Sequence, residues 1–458
     1  MDWTPTLRDR SGPVYLRIVE ALADDIAAGR LRRGQQLPTH RTLAKALDLD
    51  LTTVTRAYRE ARHRGLTEAR VGHGTFVAES LTQVRHPEAP RPAFDLSMNL
   101  PPQPLEADLE GRITRGIAAI QRETGFAAYL NYREAGGSVD EREAAADWLA
   151  PGIPSATGER LVIFPGTQSA LFTLLKTLTS PGDVILTGTL TYPGMKAAAA
   201  AMGIRLIGVA MDRLGIIPEA LDLACREHAP KAVYLNPTIQ NPTTATLPQT
   251  RRVKVAEILD SHSIILLEDD AYGALAPDVK PLASLIPERT YYAASLSKCI
   301  APGLRVSFLL APNRDDAARL SSALRTIVQM PVSLMTALVT RWLRDGSADI
   351  MIAAIRAEAH ARQKLAAQAL AGHAFAAHPN GHHIWVPLPP AWSRAEFAAH
   401  VQRQGVVVVT SEAFAIGESA PHAMRVALGA ASSRADLVGA LELLATALKS
   451  SAATARVV

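Results

Sequence analysis

SLSKCIAPGLR, residues 295–305, places Lys298 and Arg305 directly after a β-rich run at 291–295. A lysine that is desolvated in a cleft near other cationic groups loses its proton more readily and can form a Schiff base. Taken alone, a lysine is far more often a solvated surface residue. The interpretation of Lys298 therefore depends on the motifs around it.

An acidic motif precedes this lysine. The run IILLEDDAYG, residues 264–273, reads as a strand that ends in carboxylates. A buried carboxylate is costly unless it meets a cationic partner. Asp269 is favoured over Asp270 for this position, because Tyr272 follows Asp269 three residues later.

Two polar motifs lie further upstream. The loop NPTIQNPTTATLP, residues 236–248, holds Asn241 among prolines that restrict its backbone. In PGTQSALFTLLKTL, residues 165–178, a glycine, a threonine and a glutamine stand at the start of an amphipathic helix. Free backbone N–H groups and the dipole at a helix start favour a phosphate. These three residues are Gly166, Thr167 and Gln168.

Short β-rich runs alternate with helical patterns through the middle of the chain. Such runs, buried on both faces and separated by helices, predict an α/β fold with a mainly parallel sheet. From about residue 340 a long Ala-rich helix and the runs 383–387, 406–409 and 424–428 predict a smaller α+β lobe. A ligand is expected in the cleft between the lobes. The runs assigned to the sheet are 184–187, 205–209, 232–235, 264–268, 291–295 and 306–310.

The first eighty residues have a different pattern, with three short helices followed by a hairpin. Thr39 can cap the second helix and Asp50 the third. The outer face of the third helix carries hydroxyls and guanidiniums, which suit phosphate and base-edge contacts in a major groove. Gly72-His73-Gly74 permits a tight turn between the last two extended runs. This order is that of a winged helix-turn-helix.

The domain boundary is predicted in a proline-containing segment. SLTQVRHPEAPRPA, ending at residue 93, has almost no apolar periodicity and reads as a semi-rigid tether. The predicted organisation is a DNA-binding domain at 1–79, a linker at 80–93 and a large domain at 94–458.

Composition excludes several classes of protein. No apolar stretch of the 458 residues approaches the ~20 that a membrane-spanning helix needs. The N-terminal residues lack the apolar core of a secretory signal. The 2 cysteines, Cys225 and Cys299, lie far apart, and the 13 histidines are scattered, so neither a disulfide framework nor a metal site is predicted. A cytoplasmic protein without a membrane partner is expected.

The N-terminal domain closely resembles the GntR family of bacterial regulators over nearly all of residues 12–79. The stretches that carry the resemblance are GRLRRGQQLPTHRTLAKAL, 29–47, and LTTVTRAYREARHRGLTEARVGHGTFV, 51–77. Leu51 stands where relatives often have arginine and can touch a thymine methyl, while Asp48 replaces the usual glycine in the turn. The resemblance implies a double-stranded DNA operator as partner, contacted by Arg41, Thr52, Thr53, Arg56 and His73.

The large domain resembles the fold-type I, class I/II aminotransferases from about residue 94 to 449. This resemblance implies pyridoxal 5'-phosphate as cofactor, with Lys298 as the aldimine lysine and Asp269 paired with the pyridine nitrogen. Asn241 and Tyr272 would hydrogen-bond the ring hydroxyl, and Tyr192 of TYPG would stack on the ring. The residues implied around the phosphate are Ser295, Ser297, Arg305, Gly166, Thr167 and Gln168.

Two further residues gain roles from the same resemblance. Tyr132, in YLNYREAGG, corresponds to a tyrosine that reaches the phosphate of a neighbouring subunit, which implies a homodimer. Arg425, in MRVALG, corresponds to an arginine that grips a substrate carboxylate, a task suited to a planar fork. The alternative for Arg425 is a structural ion pair on a strand. The sequence departs from the family pattern at NPTT, which lacks a glycine after NPT, and at Ser307, where glycine is common.

A GntR-type head joined to an aminotransferase-like body is the layout of the MocR subfamily of regulators. It implies transcription control by an amine or amino-acid effector that forms an external aldimine on the cofactor. A working aminotransferase with a secondary DNA-binding head is the main alternative, because every core catalytic residue type is present. A sensor of pyridoxal phosphate alone is a third, disfavoured because such a sensor needs no carboxylate clamp at Arg425.

Overall fold

The computed structural model describes residues 3–7, 13–32, 34–63, 66–70, 74–78 and 93–450. The chain divides into two compact units, Met1–Arg91 and Pro92–Val458. The first is called the head and the second the body. His73 and residues 80–92 of the linker lie outside the described residues.

The head consists of three helices and a two-stranded hairpin, the predicted winged helix-turn-helix. The helices pack around a small core that includes Leu22, Leu43, Val54 and Tyr58. Tyr58 Oη, buried in that core, donates a hydrogen bond to the carbonyl of Pro38 at 2.8 Å. The elements are α1 Val14–Ala27, α2 His40–Leu47, α3 Leu51–His63, β1 Thr67–Arg70 and β2 Gly74–Val77, with β1 and β2 antiparallel.

Capping in the head follows the sequence prediction. The Thr39 side chain accepts from the backbone N–H of Thr42, at the start of α2. Oδ1 of Asp50 accepts from the backbone N–H of Thr52 at 2.8 Å, at the start of α3. Between the two helices Asp48 has φ 50°, a left-handed conformation that aspartate tolerates better than most residues. This tolerance explains how the turn forms without its usual glycine.

The body is built on a seven-stranded sheet of order β4-β12-β11-β10-β9-β5-β6. All its pairs are parallel except those of β12, which runs antiparallel to β11 and β4. The elements from the start of the body to the end of this large lobe are β3 Phe94–Asp95, α4 Leu109–Glu123, α5 Val139–Leu149, β4 Leu161–Phe164, α6 Thr167–Leu178, β5 Val184–Gly188, α7 Pro193–Ala201, β6 Arg205–Val209, β7 Met211–Asp212, β8 Gly215–Ile216, α8 Pro218–His228, β9 Ala232–Leu235, α9 Gln249–Ser261, β10 Ile265–Asp270, β11 Thr290–Ser295, β12 Ser307–Leu310, α10 Arg314–Val328 and α11 Ser333–Arg344. The predicted α/β class and mainly parallel sheet are confirmed.

A smaller lobe with a four-stranded sheet of order β13-β14-β17-β16 follows. Its elements are α12 Ser347–Ala369, β13 Ala376–Ala377, β14 His383–Pro387, α13 Arg394–Arg403, β15 Val406–Val407, β16 Val409–Thr410, β17 Ala423–Ala427 and α14 Arg434–Lys449. The single strand predicted at 406–409 is divided. β15 pairs with β3, at the beginning of the body, whereas β16 pairs with β17.

The described residues include neither a membrane-spanning helix nor a metal-binding cluster. Among them, no helix is long and apolar enough to cross a membrane. Within the same part of the chain, no group of three or more His, Cys, Asp or Glu side chains could hold a metal ion.

Candidate functional site

A cavity of about 470 Å³ opens at the carboxyl ends of β10 and β11. The start of α6, loops of the large lobe, the small lobe and the segment after β3 contribute the rest of its wall. Placing a ligand at the carboxyl ends of parallel strands is the rule for open α/β sheets. The residues lining it are Ser97, Met98, Asn99, Thr167, Gln168, Tyr192, Pro193, Asn236, Asn241, Asp269, Ala271, Tyr272, Ser295, Ser297, Lys298, Pro302, Arg305, Val409, Phe414 and Arg425.

Lys298 lies just after β11, with its amino group in this cavity. Its Nζ donates a hydrogen bond to the backbone carbonyl of Asn99 at 2.5 Å. Burial, together with nearby Arg425, lowers the pKa of Lys298 to about 8, and Asp269 opposes the fall. Near neutral pH more of this amine is therefore unprotonated, and available as a nucleophile, than for an exposed lysine.

Asp269 lies at the end of β10 and is buried. Oδ2 accepts a hydrogen bond from Tyr234 Oη at 2.7 Å, whereas Oδ1 has no protein partner. Burial raises the pKa of Asp269 to about 6, with the Tyr234 hydrogen bond opposing the rise. An unpartnered carboxylate oxygen on a cavity-lining residue fits a cationic ring nitrogen. Asp270 does not line this cavity, and its Oδ2 accepts from Tyr292 at 2.9 Å.

The start of α6 forms the anion-binding end of the site. Arg305 donates from Nη2 to the carbonyl of Pro165 at 2.9 Å, which lays its guanidinium against Gly166. Gly166 has φ +93°, and a Cβ there would collide with that guanidinium. Thr167 Oγ1 and Gln168 Oε1 are buried without partners. A helix start beside an arginine and an unused hydroxyl fits a phosphate group.

Arg425, on β17 of the small lobe, is buried and lines the other side of the cavity. Nη1 donates to Oδ1 of Asn241 at 2.9 Å, Nη2 donates to the carbonyl of Ser97, and the guanidinium lies 5.0 Å from the Phe414 ring centroid. Its Nε has no protein partner. Arg425 makes no ion pair among the described residues, so an anion would complete its coordination.

The loop that carries Asn241 is held from behind by a buried arginine. Arg252, on α9, is fully buried and donates to the carbonyls of Leu247 and Pro237 and to Thr238 Oγ1, each at 2.9 Å. Its Nη1 lies 3.6 Å from Oε1 of Glu268, which is also fully buried. The loop is therefore fixed to β10, the strand that carries Asp269.

The structure brings most of the predicted ligand-binding side chains together. Tyr192, just before α7, lines the cavity, and Ser295 accepts at Oγ from the backbone N–H of Ser297 at 3.1 Å. Tyr132 does not line the cavity and is 82% exposed.

Sequence reasoning missed several residues of the site. Ser97 and Asn99 lie in an irregular segment without periodicity, and they reach Arg425 and Lys298 only because the chain folds back across the cleft. Tyr234, on β9, offered a detectable signal, because it stands two residues before the NPTIQNPTTATLP motif.

The head places four of the five predicted DNA-contacting residues on α2 and α3. Arg41, Thr52 and Arg56 are exposed, and Thr53 is half-buried. The Arg56 guanidinium lies 4.1 Å from the Tyr15 ring centroid. Thr52 Oγ1 donates to Asp50 at 2.9 Å, so it takes part in the cap. Leu51, the first residue of α3, is 42% exposed.

These features define a class of protein: a winged helix-turn-helix joined to a fold-type I body with a site for pyridoxal phosphate. The chain belongs to the aminotransferase class I and II family, matched over residues 93–444, within the group of regulators whose head matches the gntR family of bacterial regulatory proteins over residues 14–77. This combination is that of the MocR subfamily.

Curated relatives match this chain over most of its length. The chain is 30% identical to the uncharacterized HTH-type transcriptional regulator YdeF of Bacillus subtilis, over 86% of each chain. It is 28% identical to the vitamin B6 salvage pathway transcriptional repressor PtsJ of Salmonella typhimurium, over 82% of this chain and 86% of that one. It is 26% identical to the pyridoxine biosynthesis transcriptional regulator PdxR of Corynebacterium glutamicum, over 70% of each. The chain is accordingly a GntR-type transcription regulator.

Solved structures resemble the body. The α-aminoadipate aminotransferase LysN of Thermus thermophilus, solved with a phosphopyridoxyl-leucine compound, gives a TM-score of 0.71 at 23% identity over 78% of this chain and 92% of that one. A kynurenine aminotransferase of Pyrococcus horikoshii gives 0.72 at 23% identity over 78% and 90%. These similarities establish the fold of the body.

Proposed function

We propose that the body senses an amine or amino acid that carries a carboxylate, and that this ligand changes how the head engages operator DNA in the cytoplasm. One observation carries the proposal: Lys298 and Arg425 line the same cavity. The cofactor held by Lys298 would react with the amine of an amino acid, and the buried guanidinium of Arg425, which has no ion pair among the described residues, would bind its carboxylate. Together they provide two-point recognition. A protein that recognised the cofactor alone would have no use for the second group.

The cofactor site supports this proposal through its unsatisfied groups. Pyridoxal phosphate, when bound, supplies an aldehyde that condenses with amines. Lys298 Nζ would hold it covalently, and Asp269 Oδ1 would accept from the ring nitrogen. Asn241 and Tyr272 would bond the ring hydroxyl, and Tyr192 would cover the ring. The phosphate would be held by Gly166, Thr167, Gln168, Ser295, Ser297 and Arg305.

The route from the cavity to the linker is short along the chain. The body begins with β3, which pairs with β15 through Phe94 and Asp95. Ser97 and Asn99 follow directly, and their carbonyls accept from Arg425 and Lys298. A carboxylate on Arg425, or a new bond at Lys298, would compete with these contacts. The ligand thereby acts on the segment that continues from the linker, and such differential contacts are what a ligand-driven shift requires.

We also infer a homodimer, in which Tyr132 reaches the phosphate site of the partner subunit. Tyr132 is 82% exposed and the neighbouring Leu130 81% exposed, which is unusual for large apolar side chains in one region of a monomer surface. Two heads would then read two operator half-sites through Arg41, Thr52, Thr53, Arg56 and His73.

Transamination is a second candidate activity. Its support is the lowered pKa of Lys298, which suits a lysine that must accept and return protons during turnover. Steady conversion of an amino acid with a 2-oxo acid, abolished by Lys298→Ala, would establish that activity.

The central experiment follows two signals at once. The protein, bound to its own upstream DNA, is titrated with amines and amino acids while the visible absorption of bound cofactor and the DNA affinity are recorded. Sensing requires that one compound change both signals, and that Lys298→Ala abolish both responses. DNA affinity that ignores every amine, every amino acid and pyridoxal phosphate would refute the proposal.

A further inference from the structure

His383, the first residue of β14, is fully buried and uses both of its ring nitrogens. Nε2 lies 3.2 Å from the backbone carbonyl oxygen of Gln240, and Nδ1 lies 2.9 Å from Nδ2 of Asn99. Gln240 precedes Asn241 in the loop of the large lobe, whereas β14 belongs to the small lobe. The ring thus joins the two lobes behind the cofactor cavity.

The partner of Nε2 determines where the proton of this ring lies. A carbonyl oxygen can only accept a hydrogen bond, so Nε2 must carry hydrogen. Burial lowers the pKa of His383 well below its ordinary value, and the nearby cations Arg425 and Lys298 act in the same direction. The ring is therefore neutral, with one proton at Nε2, and Nδ1 is an acceptor.

The acceptor at Nδ1 in turn fixes the orientation of Asn99. With the amide reversed, its oxygen would face Nδ1 without a hydrogen between them. Asn99 Nδ2 must therefore donate to His383, and the same nitrogen lies 2.6 Å from Tyr272 Oη. Nδ2 has two hydrogens, one for each acceptor. Tyr272 accepts this bond, and its own hydroxyl hydrogen stays available to another group.

We propose that Gln240, His383 and Asn99 form a relay that fixes the direction of the Tyr272 hydroxyl, so that Tyr272 donates its hydrogen to the ring oxygen of the cofactor. This inference rests on the proposed function for the placement of Tyr272 beside that oxygen. His383 and Asn99 are positioning residues, since neither needs to touch the cofactor ring. Without His383, the Asn99 amide could reverse, and Tyr272 could then turn its hydrogen toward Asn99 Oδ1, which has no partner in the structure.

The first experiment tests the relay in the wild-type protein without relying on the cofactor. Histidine labelled with ¹⁵N reports which ring nitrogen is protonated, and the His383 signal is assigned by its loss in His383→Gln. The expected result is hydrogen on Nε2 and none on Nδ1 throughout the neutral pH range. Hydrogen on Nδ1, or a doubly protonated ring, would overturn the relay.

The second experiment measures its effect on bound cofactor. A hydrogen bond donated to the ring oxygen weakens that oxygen's hold on the neighbouring proton, so losing the bond raises the pH midpoint of the visible absorption. We expect His383→Leu and the reference Tyr272→Phe to raise this midpoint by roughly one to two pH units. His383→Gln, which keeps one donor and one acceptor, should stay near the wild type. Apart from Tyr272 itself, the charged and titratable groups lining the cavity are the same in all three variants: Asp269, Lys298, Tyr192, Arg305 and Arg425.

The outcomes separate the relay from the function on which it rests. A wild-type midpoint in His383→Leu, beside a shifted one in Tyr272→Phe, would contradict the relay while leaving the cofactor site intact. A wild-type protein without any visible band after addition of pyridoxal phosphate would refute the cofactor site instead. If His383→Leu does not fold, the ¹⁵N measurement decides the inference.

Discussion

Nη1 of Arg425 donates a hydrogen bond to Oδ1 of Asn241 at 2.9 Å. A residue of the small lobe, proposed to hold the ligand carboxylate, is thereby bonded to a residue of the large lobe proposed to hold the cofactor ring. Both residues belong to one connected polar network, so a ligand bound by Arg425 should affect Asn241, and cofactor bound by Asn241 should affect Arg425.

Replacing Arg425 should remove the response to amino acids selectively. Arg425→Leu is expected to weaken the binding of carboxylate-bearing effectors by about 2–5 kcal/mol, at least ~30-fold, because the buried carboxylate would lose its cationic partner. Titration of cofactor absorption with an amino acid and with the corresponding amine lacking the carboxylate measures this. The amine should bind as before. Arg403→Leu, at an exposed position on α13, is the matched control, and equal weakening of both ligands would contradict the clamp.

The pH dependence of Lys298 reactivity should reveal its neighbours. Acylation of Lys298 in cofactor-free protein, followed by mass spectrometry, is expected to accelerate through about pH 8 as the amine loses its proton. Asp269→Asn should move the midpoint down, because the carboxylate stabilises the ammonium. Arg425→Leu should move it up, because the guanidinium disfavours the ammonium. A shift in the reverse direction for either variant would be inconsistent with the described site.

DNA affinity should depend on the arginines of α2 and α3. Arg41→Ala and Arg56→Ala are each expected to weaken operator binding by roughly 1–3 kcal/mol if they contact bases. Arg30→Ala is the control, because Arg30 follows α1 and is paired with Asp25 at 2.6 Å. Tyr15→Leu should cost about 0.5–1 kcal/mol by removing the ring that orients Arg56. Binding titrations at fixed salt measure these effects, and unchanged affinity would place the arginines outside the interface.

The buried pair behind the cofactor loop should matter for stability. Arg252→Leu leaves Glu268 buried without its cation and is expected to lower the free energy of unfolding by about 3–5 kcal/mol. The exposed pair Arg289–Asp260 provides the control, since Arg289→Leu should cost less than about 1 kcal/mol. Urea unfolding of the full chain measures both. The Arg252 effect should shrink at acidic pH, because a protonated Glu268 needs no counter-charge.

Local sequence rules predicted the elements because each carries its own signal. Asp50 caps α3 as its residue type suggests, and β9 spans the predicted 232–235. The strand at 406–409 was predicted as one element because all four residues are valines. Its division between β3 and β17 depends on which strands lie beside it, and nothing in a valine run encodes that.

The cavity wall was predictable only where a motif marks it. Lys298, Asp269 and Asn241 stand in recognisable motifs at strand ends. The sequence marks His383 only as the start of an apolar strand, because its contacts with Gln240 across the lobes and with Asn99 after β3 have no local signature. Long-range polar contacts of this kind arise when the lobes close on each other.

The pairing of β3 with β15 has a practical consequence for building biosensors from this chain. Because Phe94 and Asp95 are already part of the body's fold, and Ser97 and Asn99 belong to the cavity wall, the modular boundary lies before residue 94. A chimera that places a foreign head at residue 93 keeps the ligand reader whole. A splice made only a few residues later would remove the input that such a device is meant to report.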